Sequence, residues 1–71
     1  MLPFSITNKS SGRVTMFRGT FHEAVQRSMR ECVTPNERAT IRALPADILV
    51  AEVSADGIEW LGRKILSELH R

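Results

Sequence analysis

The sequence predicts an α+β fold, a small two-layer sandwich formed by one domain over residues 1–71. Three observations lead there. Residues 2–18 alternate apolar and polar side chains on either side of a polar cluster, the pattern of a β-hairpin. Two stretches, about 20–32 and about 57–70, repeat apolar residues at three- and four-residue steps, as amphipathic helices do. Between them Ile48–Val53 is aliphatic on both faces and rich in β-branching, which suits a buried third strand at about 48–53. The expectation is a hairpin plus one strand, with both main helices on one face of the sheet and a short helix at 35–43.

Each element has its own local warrant. Leu2, Phe4 and Ile6 mark the first strand, Asn8–Gly12 the turn, and Arg13–Arg18 the second strand, with Val14 and Met16 opposite Thr15 and Phe17. Gly19 ends that strand. Thr20 and Glu23 then have the spacing of a capping box. Behind it Phe21, Ala24, Val25, Ser28, Met29 and Cys32 share a face, and Glu23 stands four residues before Arg27 as an ion pair would. Thr34 and Glu37 repeat the box, with Pro35 at the first helical position. That favours a short helix, although Ala39, Ile41 and Ala43 also alternate with Thr40 and Arg42 as a strand would. Leu44–Asp47 turns the chain. For the last helix Asp56 is the expected N-cap, with Glu59 as its partner and Ile58, Leu61, Ile65 and Leu69 as its stripe. Gly62 lies in that stripe and would let another backbone come close. Arg13–Arg18 and Ile48–Val53 flank a helical crossover, so as neighbours they are expected to pair in parallel.

Composition narrows the function. The chain has 71 residues, near the size at which a core is barely sufficient, and such scaffolds often need a disulfide, a metal or a second subunit. Cys32 stands alone, so no disulfide closes within one chain. His22 and His70 have no metal-ligand spacing, and neither metal nor cofactor is expected. A homodimer is the remaining staple. A lone thiol and no apolar leader indicate a cytoplasmic protein, no stretch reaches membrane-spanning length, and the opening Met1 suits a complete short reading frame. No paired carboxylates, glycine-rich phosphate loop or nucleophile elbow occurs, so no catalytic residue is assigned and no enzymatic activity is expected.

The net charge of +2 is too small to imply a nucleic-acid partner by itself. Residues 1–42 carry seven basic and three acidic side chains, about +4, and the remainder three against five, about −2. Trp60 is the most informative residue. On an ideal helix it lies about 160° from the apolar stripe, beside Arg63, Lys64 and Arg71. An aromatic among cations is the composition of an interface centre. The competing reading folds the indole back to close the core. Arg27 and Arg30 extend the candidate contact surface along the outer side of the first helix. The function these residues favour is non-enzymatic binding to a larger protein, as a small stoichiometric regulator, adaptor or inhibitor such as phages and mobile elements encode. The alternative is nucleic-acid binding through the arginines of the first half.

Overall fold

In a computed structural model of the chain, described over residues 2–62, five strands and one helix follow in the order ββαβββ. They are β1 (Leu2–Asn8), β2 (Val14–Gly19), α1 (Phe21–Glu31), β3 (Ala39–Ala43), β4 (Ile48–Ser54) and β5 (Gly57–Leu61). The strands form one sheet in the order β2-β1-β3-β4-β5, and every neighbouring pair is antiparallel. The architecture is α+β, with α1 as the whole helical layer among the described residues.

The hairpin and the first helix form as their local signals require. β1 and β2 pair from Leu2↔Gly19 to Thr7↔Val14. Asn8 holds the loop between them, its Oδ1 accepting from the Ser10 and Ser11 N–H groups at 2.8 and 3.1 Å. At the start of α1 both arms of the capping box are made. Thr20 Oγ1 accepts from the Glu23 N–H at 3.1 Å, and Glu23 Oε1 accepts from the Thr20 N–H at 2.9 Å. Glu23 is thereby occupied, and Arg27 faces Glu31 instead, at 3.8 Å. The predicted Glu23–Arg27 pair is therefore replaced by one a turn later.

Three expectations are corrected. Residues 35–43 do not form a short helix: Thr34–Glu37 is a turn, and Ala39–Ala43 is β3. The Glu37 N–H donates to the Thr34 carbonyl at 3.2 Å while Glu37 Oε2 accepts from the Thr34 N–H at 2.6 Å, so half of the predicted box closes a turn. Extended pairing then buries Ala39, Ile41 and Ala43 together on the face toward α1. Nor does a helix span 57–70 as far as the structure describes it, because Gly57–Leu61 is β5; the predicted stripe residues Ile65 and Leu69 lie outside the described residues. Ser54 pairs with Gly57 around a two-residue Ala55-Asp56 loop, and Gly57 takes φ 135°, open to glycine. The Asp56 N–H donates to Ser54 Oγ at 3.1 Å, which fixes a hairpin turn in place of a helix cap. Third, β2 and β4 do not pair in parallel. β1 and β3 lie between them, because β3 takes the side of β1 that β2 leaves free.

The register defines two faces. Thr15, Ile6, Ile41, Ala51 and Leu61 form a row across all five strands, flanked by Phe17, Phe4 and Ala43 on one side and Asn8, Ala39, Val53 and Ile58 on the other. This is the face that α1 covers with Phe21, Ala24, Val25, Ser28 and Met29; the rings of Phe4 and Phe21 stand 6.3 Å apart. Ser28 Oγ donates to the Ala24 carbonyl at 2.8 Å, which satisfies the one hydroxyl in this stripe. Cys32 closes it as a buried thiol 3.8 Å from the Val53 carbonyl, and burial pushes its pKa up. Among the described residues no helix is long and apolar enough to cross a membrane.

Candidate functional site

The opposite face of the sheet carries no helix among the described residues, and its side chains also follow from register. One row runs Val14–Thr7–Thr40–Glu52–Trp60 across the five strands, and a second runs Met16–Ser5–Arg42–Leu49. The middle of this face is polar, which lets water cover it. Its two ends are apolar: Val14 is 56% exposed and Met16 68% on β2, and Trp60 is 47% exposed on β5. Four inter-strand steps of about 4.8 Å place those ends roughly 19 Å apart.

Trp60 reaches this face through a bulge. Glu52 pairs with Trp60 and Val53 with Ile58, so Glu59 is the extra residue on β5. In an unbulged strand Ile58 and Trp60 would point the same way. The bulge sends Ile58 toward the helix side with Val53 and Trp60 to the open side with Glu52, while Leu61 joins the core. The indole runs along the strand over Gly62, where an added Cβ would sit 3.2 Å from Trp60 Cη2 and 3.4 Å from the Val50 carbonyl oxygen. Gly62, expected from sequence to let another backbone approach a helix stripe, instead follows β5, where its N–H donates to the Val50 carbonyl at 2.8 Å and the indole is the nearest side chain. Beside Trp60, Glu52 is bound by Lys9, whose Nζ donates to Glu52 Oε1 at 3.0 Å across the polar middle of the face.

The remaining predicted contact residues do not assemble around Trp60 among the described residues. Arg27 and Arg30 are exposed on α1, in the layer on the other side of the sheet. Arg63, Lys64 and Arg71 lie outside the described residues. Met16, Val14 and Leu49 were not assigned to a site from sequence, although the alternation of Arg13–Arg18 already set Val14 and Met16 apart from Thr15 and Phe17.

Several arginines have local partners. Arg38 Nη1 donates to the carbonyls of Pro35 and Glu37, and its Nη2 lies 3.2 Å from Glu59 Oε1. Arg42 lies over the Leu44–Asp47 turn, with its Nε 4.0 Å from Asp47 Oδ1. Arg13 and Arg30 line a shallow cleft with Asn8, Ser11, Glu31, Val33 and Glu37. Both of its carboxylates are engaged: Glu31 accepts from Thr15 Oγ1, and Glu37 from Asn8 Nδ2 and the Thr34 N–H. These bonds, the one from the Thr34 backbone foremost, hold the Glu37 pKa below its ordinary value. Among the described residues no three His, Cys, Asp or Glu side chains converge as a metal site. The chain matches no protein-family model, no curated protein and no solved structure.

Proposed function

We propose that this chain is a non-enzymatic protein–protein interaction module, acting stoichiometrically on a larger protein as a small regulator, adaptor or inhibitor. The observation that carries the reading is the placement of its one tryptophan. Leu61, the next residue on β5, packs into the core, yet the larger and more apolar-rich ring stands half-exposed on the open face. Aromatic side chains of this kind supply much of the binding energy at interface centres, where a partner removes them from water. The flat polar middle with its Lys9–Glu52 pair suits the wetter rim of such a contact.

The test compares Trp60→Ala with the double variant Arg27→Ala, Arg30→Ala for retention of a stoichiometric partner by the folded, tagged protein. Loss of the partner in Trp60→Ala alone supports the reading; equal retention by Trp60→Ala and the parent chain refutes it. A second reading, nucleic-acid binding, draws on Arg13, Arg18 and Arg30, which meet no acidic side chain within ion-pair distance among the described residues. It requires binding to random-sequence DNA that weakens steeply with salt and again when those arginines become Ala.

A further inference from the structure

The two edges of this sheet are built differently. β5 carries the Glu59 bulge, and Arg38 ties down the bulged residue through its carboxylate. Bulges and charges of this kind keep an edge from pairing with another chain. β2 is less protected: its pairing with β1 is regular from Val14 to Gly19 with no bulge, it contains no proline, and its one charged residue, Arg18, sits near its end. The Asn8 N–H donates to the Arg13 carbonyl at 2.9 Å, which sets the phase of the ladder. Residues 13, 15, 17 and 19 therefore turn their backbone groups toward β1, and Val14, Met16 and Arg18 turn theirs outward. Among the described residues nothing accepts or donates to those outward groups.

We propose that β2 pairs antiparallel with β2 of a second copy across a two-fold axis at Met16, joining two sheets into one of ten strands. The occupant follows from self-complementarity. With the axis at Met16, Val14 faces Arg18 of the second copy, Thr15 faces Phe17, and Arg13 faces Gly19, so no two like charges stand opposite each other. All three outward-turned residues enter closely bonded pairs, which gives about six new backbone hydrogen bonds. On the open face the exposed Met16 side chains meet at the axis, and the methylenes of Arg18 cover Val14 of the other copy. A one-residue slip would set the helix-side residues against the open-side ones. Moving the axis to Thr15 would place Arg13 opposite Phe17 and leave Gly19 unpaired. This pairing uses an edge distant from Trp60 and stands independently of the docking role of the indole.

Sedimentation equilibrium over micromolar to millimolar protein tests the proposal. An apparent mass rising from 8.0 kDa toward twice that value is the expected result, and a monomer throughout overturns it. Met16→Lys places like charges against each other at the axis while altering a side chain that is mostly in water within one copy. It should give a monomer with unchanged circular dichroism and melting; a persisting dimer overturns the register. Met16→Cys should cross-link under mild oxidation, since closely bonded antiparallel residues have Cα atoms about 5.5 Å apart, within disulfide reach. Val14→Cys should not, and equal cross-linking by both overturns the axis. In the unmodified chain the Val14, Met16 and Arg18 amides should exchange slowly with solvent at high concentration and quickly on dilution; fast exchange at both refutes the pairing.

Discussion

Replacing Trp60 by alanine separates a contact residue from a core residue, and the structure sets the size of the effect. An aromatic side chain fully removed from water hides 150–250 Å², and Trp60 is 47% exposed, so truncation re-exposes about 100 Å². At about 25 cal/mol per Å² this is at most about 2.5 kcal/mol, and a compact unfolded chain lowers it to about 1.5–2 kcal/mol. No closed cavity is left, because the ring is open to solvent on one side. Ile41 is the internal standard. It is 0% exposed at the centre of the sheet, and Ile41→Ala removes three carbons worth about 0.8 kcal/mol each. A void of about 60 Å³ adds about 1.5 kcal/mol, for a loss of about 4 kcal/mol. Urea unfolding followed by circular dichroism reads both without the indole. With a slope of about 1 kcal/mol/M, the midpoint should fall by about 1.5–2 M for Trp60→Ala and by about twice that for Ile41→Ala. A loss for Trp60→Ala equal to or above that of Ile41→Ala would refute the placement of the ring and remove the anchor of the proposed contact.

Three further outcomes follow from local structure. Thr20→Ala removes the hydroxyl that accepts from the Glu23 N–H and should lower stability by about 1 kcal/mol, seen as a lower urea midpoint. Gly57→Ala meets no atom within 4 Å of the new Cβ, so its cost is that of holding φ near 135° with a side chain, about 1–3 kcal/mol; no change in melting would contradict the turn. Glu23 and Glu37 are held below 4.5 chiefly by the backbone N–H groups of Thr20 and Thr34. Their contribution is present above the unfolded value near 4.5 and is lost as pH falls through the lower folded values, where the unfolded chain binds more protons. Melting temperatures should drop on acidification below that point, and Glu23→Gln together with Glu37→Gln should flatten the decline.

The elements legible in the sequence are those whose signals are complete within a few residues. The Thr20–Glu23 box supplies its own hydrogen bonds, the Asn8 loop its own turn, and Ile48–Val53 its own β-branched run. β3 was ambiguous because Pro35 and Glu37 suit a helix start while Ala39, Ile41 and Ala43 suit a strand. What decides for the strand is the unpaired side of β1, more than thirty residues away in the chain for Ile6 and Ile41. In β5 the spacing of Ile58 and Leu61 with Ile65 and Leu69 outweighed a nearer signal, Asp56-Gly57 after a β-branched run, a dipeptide that marks hairpins and here straddles the end of the Ala55-Asp56 loop and the start of β5. Trp60 was singled out from its chemistry. That it shares a face with Glu52, Met16 and Val14, and stands across the sheet from Arg27 and Arg30, depends on the Glu59 bulge and on a register spanning five strands.

By itself the sequence determined an α+β chain with an N-terminal hairpin, a capped helix over about 20–32 and a strand over about 48–53, since helix caps, turns and hydrophobic periods act between residues close in the chain. Only the tertiary structure decided that β1 lies inside the sheet, that Ala39–Ala43 and Gly57–Leu61 are strands, and which side chains face away from α1. A strand's hydrogen bonds are made to other strands, so its identity and its exposed face are settled only when those partners meet.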